Sequence, residues 1–230
     1  MRIDLHCHTE ASSDCKTSIS KILARARVKG IAVQAVTDHN EVWGAQELQT
    51  LAEAQDEREV PTIIVGEEVS TREGEIIGLF LSECIPRGLS PEETVGRIKA
   101  QGGLVLIPHG FDPLKRHRLK PEALARIADD VDIVEAFNAR ISRPRWNRAA
   151  AAWADARGLL KSAGSDAHTL ADVGTAWVEA PGRPVRSPAD LLEALRLGTV
   201  SGRWTHPLLA LGYKTWDSGF QTLKGRGKKG

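Results

Sequence analysis

Residues 31–40 read IAVQAVTDHN. The first six are strand-like, and the last four, Thr37-Asp38-His39-Asn40, are polar. Upstream, residues 18–29 place Ile19, Ile22, Leu23 and Ala26 on one face and stop at Gly30, the pattern of an amphipathic helix with a glycine terminator. Downstream, residues 41–55 are again helix-like. A strand between two helices, with polar residues where the strand ends, is the unit from which the rest can be read.

The unit recurs in both directions. Strand candidates lie at 2–5, 61–65, 75–81, 104–107, 132–136 and 159–163. Ser90-Pro91-Glu92-Glu93 is the clearest helix start: Ser90 at the N-cap, Pro91 in the first helical position, and Glu93 completing a capping box. That helix ends at Gly102-Gly103. Further helices are expected at 121–128, at 143–157 and from Ser187-Pro188 to Gly198. Strands separated by helices imply parallel pairing through βαβ crossovers. Six or more such units predict an α/β fold closer to a barrel, closed or distorted, than to a sandwich. A doubly wound open sheet is the alternative. No internal repeat is visible.

The composition sets limits on this reading. The chain has 230 residues, 41% hydrophobic and 27% charged, enough to bury a core without disulfides. We expect one domain over residues 1–222 and a basic, glycine-rich, disordered tail over 223–230, ending KGRGKKG. A net charge of +1 argues against a molecule-wide electrostatic trap for nucleic acid. The three cysteines, Cys7, Cys15 and Cys84, form no CxxC pair and read as free thiols. The N-terminus MRIDLHCHTE is too polar for a signal peptide, and no apolar run approaches the roughly 20 residues of a membrane span. A cytoplasmic protein without membrane contact is the expectation.

The chemistry sits just past the strands, where α/β folds build active sites. Asp4-Leu5-His6-Cys7-His8-Thr9 and then Asp14 follow the first strand, and Thr37-Asp38-His39-Asn40 the second. Gly66-Glu67-Glu68, Pro108-His109-Gly110 and Gly164-Ser165-Asp166-Ala167-His168-Thr169 follow later ones. Of seven histidines, five (His6, His8, His39, His109, His168) lie at these ends. Residues i and i+2 of an extended chain point the same way, so His6 and His8 can share one ion. Cys7 alternates to the other face and reads as core. Imidazole and carboxylate donors without thiolate suit zinc, manganese or iron(II). No Ser-His-Asp arrangement or P-loop competes for the chemistry.

With these motifs in this order, from Asp4 to Thr169, the chain resembles the PHP family (polymerase and histidinol phosphatase domains), and among it the small stand-alone metal-dependent phosphoesterases. The resemblance implies a distorted seven-stranded β/α barrel with two or three divalent metals at the strand C-terminal ends. It implies that His6, His8, Glu68 and Asp166 bind a first metal. Glu68 bridges to a second held by His109, and Asp14, His39 and His168 hold a third. One position departs. Glu75 stands where many members carry a histidine, and its carboxylate would make the second site harder and more anionic.

The expected reaction is hydrolysis of a phosphate monoester of a small metabolite or nucleotide by a metal-activated water. His109 and His168 are also candidate acids, and Asp166 belongs to the same catalytic set. The alternatives are a phosphodiesterase or exonuclease on short oligonucleotides, or a non-catalytic metal-binding regulatory module. Asp38 is expected to orient a ligand histidine. Arg116 and Arg118, with Lys115 and His117 between Pro108-His109-Gly110 and residue 119, and Asn138 with Arg140, are the candidate phosphate-binding residues. Trp146 and Trp153, seven apart on a helix, read as packing residues.

Overall fold

The computed structural model describes residues 1–55, 60–210 and 212. The tail expected at 223–230 lies outside them. The strand sequences form one sheet of nine strands in the order β7-β6-β5-β4-β3-β2-β1-β8-β9. They are β1 (Arg2–Asp4), β2 (Ile31–Val36), β3 (Thr62–Thr71), β4 (Gly74–Leu79), β5 (Leu104–Ile107), β6 (Ile133–Asn138), β7 (Leu160–Gly164), β8 (Ala176–Glu179) and β9 (Thr199–Gly202). Helices α1 (Ile19–Val28), α2 (Trp43–Glu53), α3 (Pro91–Ala100), α4 (Pro121–Ile127), α5 (Pro144–Arg157) and α6 (Pro188–Arg196) alternate with them.

The sheet rolls into a nearly closed barrel. Beyond the ends of β1 and β7 the chain pairs at Cys7 and Ala167, with Leu5 N–H donating to Ala163 O (3.1 Å), His8 N–H to Ala167 O (3.0 Å) and Asp166 N–H to His6 O (2.8 Å). The α/β barrel of the sequence reading therefore stands, with two corrections. Nine strands are found among the described residues where seven were expected. Pairing is also not parallel throughout: β3–β4 and β4–β5 are antiparallel, as are β1–β8 and β8–β9. The reason is local. Only Arg72 and Glu73 separate β3 from β4, too few residues for a crossover, so they form a hairpin. β8 and β9 carry Trp177, Glu179 and Thr199 among few apolar residues, a weak strand signature.

Period-two alternation divides the apolar residues into two layers. Ile63 and Val65, Ile76, Val105 and Ile107, and Val134 face the helices with Ile22, Leu48, Ile98 and Leu124. Ile64, Ile77 and Leu79, Leu104 and Leu106, and Ile133 form the second layer with Ile3, Leu5 and Leu191 of α6. The same alternation puts Glu68, Glu75 and Glu135 on the side of Ile64, Ile77 and Ile133. The fold thus drives carboxylates into the barrel at the end where the strands stop.

Candidate metal centre

All nine residues expected as ligands converge at that end. His6 Nε2 lies 3.1 Å from His8 Nε2, 3.3 Å from Glu68 Oε2 and 3.8 Å from Asp166 Oδ1. His109 Nε2 lies 3.0 Å from Glu68 Oε1 and 3.8 Å from Glu75 Oε2. His39 Nδ1 is 3.3 Å from Glu68 and 3.5 Å from Glu75, and His168 Nε2 is 2.8 Å from Asp14. Among the described residues, four groups (His8, His39, His168; His6, His8, Glu68; His6, His109, Asp166; His39, Glu68, Glu75) each bring one donor atom per residue within 4.8 Å of the others. Glu68 turns one oxygen to His6 and the other to His109. Glu67 turns away and accepts from Ile85 N–H at 2.8 Å.

The donor set fits divalent cations. His6 Nδ1 sits 2.9 Å from Glu135 Oε1. When that nitrogen carries the proton, Nε2 presents a lone pair to the oxygens of Glu68 and Asp166, an arrangement that needs a cation between them. His109 Nδ1 is buried with no hydrogen-bond partner. Charge distribution tells the same story. Burial raises Glu75's carboxyl from 4.5 to about 9, and Glu68's charge adds to the rise. Burial would push His6 down, but Glu68, Glu135 and Asp166 hold it well above its ordinary range. Burial and then His168 press His8 down to about 3. A buried cluster of carboxylates beside imidazoles that resist protonation is one whose negative charge divalent cations would neutralise.

Glu135 is the functional residue that sequence reading missed. Its Oε1 bonds His6 Nδ1, and its Oε2 accepts from His109 N–H (2.7 Å) and Asn138 Nδ2 (3.0 Å). One buried carboxylate therefore orients two candidate ligands. The available signal was a glutamate inside the apolar run 132–136. Asp38 acts on the candidate ligands through neighbours: it accepts from Thr9 N–H (2.6 Å) and Thr9 Oγ1 (2.7 Å), fixing the loop after His8, and bonds Ser12, whose Oγ lies 3.1 Å from His8 Nδ1. Gly164 makes room for the arrangement, since a Cβ there would collide with His6 Cβ and Glu135 Oε1.

The expected cations divide. Arg140 reaches the centre: Nη1 donates to Asp166 O (3.0 Å) and contacts His168 Nδ1. Asn138 Nδ2 lies 3.2 Å from Asp166 Oδ2. Arg116 and Arg118 instead line a cavity of about 330 Å³ beside Glu75, and Arg116 is exposed. Lys115 lies between the two, its Nζ 2.6 Å from Asp166 Oδ2. Cys7 is buried among helix-facing core residues. Trp153 packs against that core, while Trp146 lies under the Arg145 guanidinium.

Fold and site together define a class, a distorted β/α barrel with a histidine–carboxylate cluster, a candidate metal centre, at the C-terminal ends of its strands. The PHP-domain profile matches residues 4–131, 128 of the 230, and a PHP-associated profile matches residues 144–200. The chain belongs to the PHP family, a family of metal-dependent phosphoesterases that work with divalent ions. It is 45% identical over 152 residues, 60% of this chain and 82% of the relative, to the uncharacterized protein MJ1587 of Methanocaldococcus jannaschii. The fold matches that of a two-domain Bacteroides vulgatus protein containing a predicted PHP-like metal-dependent phosphoesterase (TM-score 0.70, 19% identity, 88% of this chain and 65% of that one). It also matches endonuclease Q in complex with a 27-mer duplex carrying an abasic lesion (TM-score 0.52, 14% identity, 90% of this chain and 60% of that one). Among the described residues no helix is long and apolar enough to cross a membrane.

Proposed function

We propose that the protein hydrolyses a phosphate monoester of a small metabolite or nucleotide at a centre of two or three divalent ions, manganese, zinc or iron(II). The observation that carries this reading is the convergence of His6, His8, His39, Glu68, Glu75, His109, Asp166 and His168 into overlapping groups, with Asp14 against His168. His6, His8, Glu68 and Asp166 would hold the first ion; Glu68, Glu75 and His109 the second; Asp14, His39 and His168 the third. Bound there, such ions lower the pKa of a water to around 7 and neutralise phosphoryl oxygens.

The chain supplies the rest. Glu135 holds the ring of His6 and the backbone of His109 in place, and Asp166 is kept ionised because Lys115, His6 and Arg140 outweigh its burial. Arg140, beside Asp166, holds the phosphoryl oxygens, Asn138, fully buried with its amide on Glu135 and Asp166, positions Arg140 and Asp166 from behind, and Arg116 and Arg118 meet the remainder of the substrate across the cavity. His109 and His168 serve as ligands first. A compact site with few fixed cations and a net charge of +1 suits a small anion better than a long polyanion.

The likeness to endonuclease Q supports a second reading, a phosphodiesterase on oligonucleotides. A panel of nucleotides, sugar phosphates, bis-aryl phosphates and short RNA or DNA, assayed with manganese, separates the two. Faster turnover of single strands or duplexes than of any monoester would overturn the monoester reading. Fewer than one metal equivalent after manganese or zinc loading would overturn both. Arg140→Ala is expected to cost about 2–4 kcal/mol in kcat/KM with metal content unchanged. Unaltered kinetics would remove Arg140 from the site.

A further inference from the structure

We infer that Lys115 is a catalytic residue, one that hydrogen-bonds the ester oxygen of the departing group. The inference rests on the phosphoesterase reading above. Asp166 divides its two oxygens. Oδ1 is turned to the histidines, 3.6 Å from His8, 3.8 Å from His6 and 3.5 Å from His168. Oδ2 is turned the other way, to Lys115 Nζ at 2.6 Å and Asn138 Nδ2 at 3.2 Å. Lys115 therefore does not compete with an ion for Asp166. It holds the oxygen that an ion on the histidine side leaves over.

An ammonium has three donors, and Asp166 takes one. The Lys115 side chain is 27% exposed and lines the cavity of about 330 Å³ that also borders Glu75. It is thus the one cation, among the described residues, that both bonds a candidate ligand through its side chain and faces that cavity. Arg140 occupies the other side, against His168 and the Asp166 carbonyl.

The lysine is fixed by the fold. Asp112, fully buried, accepts from Leu114 N–H (3.0 Å), Ser142 N–H (2.7 Å) and Ser142 Oγ (2.7 Å). Glu75 N–H donates to His117 O at 2.8 Å. The segment carrying Lys115 is tied in this way to the segment after Arg140 and to β4. Such a fixed donor stabilises charge without reorganising.

The chemical demand is for a cation at this place. Hydrolysis forms a P–O bond to the water oxygen and breaks the P–O bond to the leaving group. The bonding pair departs on the ester oxygen, the water loses a proton to solvent, and the released oxygen takes one up. Attacking and leaving oxygens lie roughly in line, so the leaving group must point away from the ligand-filled side. The cavity gives that room, and Lys115 lines it. Its N–H groups meet the oxygen on which charge collects and keep their protons.

The test uses the manganese-loaded full chain, Lys115→Met and Lys115→Arg, and a series of phosphate monoesters from 4-nitrophenyl to simple alkyl. Lys115→Met is expected to change little on 4-nitrophenyl phosphate, whose phenolate leaves unaided, and to lose on the order of a hundredfold on alkyl phosphates. The dependence of log kcat/KM on leaving-group pKa steepens accordingly. Lys115→Arg keeps the wild-type slope, and elemental analysis finds equal metal content in all three proteins. An equal loss across the series, or a loss of metal in Lys115→Met, overturns the inference while leaving the phosphoesterase reading intact. A wild-type protein inactive on every member takes both down together.

Discussion

His109 and Asp166 have φ of +25° and +51°, a region that costs residues with a Cβ about 1–3 kcal/mol. Both are candidate ligands, and both are held there by hydrogen bonds: His109 N–H to Glu135, and Asp166 N–H to His6 O. Glu135 thus carries an energetic as well as an orienting role. Glu135→Ala is expected to weaken metal binding by about 10–100-fold, the usual effect of losing a partner behind a ligand histidine. Titration with manganese or zinc checks this, and undiminished affinity would mean that the His6 ring and the His109 backbone keep their places without Glu135. Glu75 gives a pH prediction for the metal-free protein. Its carboxyl is raised from 4.5 to about 9, so between those values the folded chain binds one more proton here than the unfolded chain. Stability from this group is full below 4.5 and drains away as pH rises towards 9. The midpoint of thermal unfolding should fall from pH 5 to 9, and Glu75→Gln should flatten part of that fall. An unchanged slope would place Glu75 in water. Divalent metal should abolish the slope by replacing the proton.

At the scale of elements, the starts of α3 and α6 are written in their own residues. Ser90 Oγ accepts from Glu93 N–H at 3.1 Å, and Glu93 returns a bond to Ser90 N–H at 2.8 Å, with Pro91 in the first turn. Ser90→Ala should cost about 1 kcal/mol in unfolding free energy without touching metal content. A larger loss would show that α3 contributes to the centre. The hairpin β3–β4 matters more to function. Its antiparallel register pairs Glu68 with Ile77 and Ser70 with Glu75, which brings two carboxylates of one chain segment to the same end of the barrel. A helical crossover would have separated them.

For the whole molecule, the ligands come from residues 6 to 168, and the pairing of Cys7 with Ala167 joins those two extremes. Ions bound by these candidate ligands would tie the two ends of the barrel together. Metal at a hundredfold excess over its dissociation constant adds about 2.7 kcal/mol. For a chain of this size that raises the unfolding midpoint by roughly 5–10 °C, a shift that calorimetry with and without a chelator would detect. No shift would mean that the ions bind folded and unfolded chains alike, as a non-structural surface site does.

Much of this was legible in the residues. Period-two and period-3.6 patterning marks α1, α3, α5, α6 and most strands, because burial of one face is a local property of each segment. The strand-end motifs carry the candidate ligands from His6 to His168 for the same reason: a residue just past a strand in an α/β unit lies at one end of the sheet, whatever the rest of the chain does. Tertiary structure alone decided the rest. The antiparallel turn of β3–β4 and the added strands β8 and β9 depend on partners across the sheet. Glu135 is a buried carboxylate in an apolar run whose purpose appears only when His6 and His109, 129 and 26 residues away in sequence, close around it. Lys115 and Arg116 are neighbours in one basic segment, indistinguishable by composition. Which of them meets Asp166 was settled by Asp112 and Ser142, which fix the loop in space, and hydrogen bonds between distant segments leave no periodic trace in a sequence.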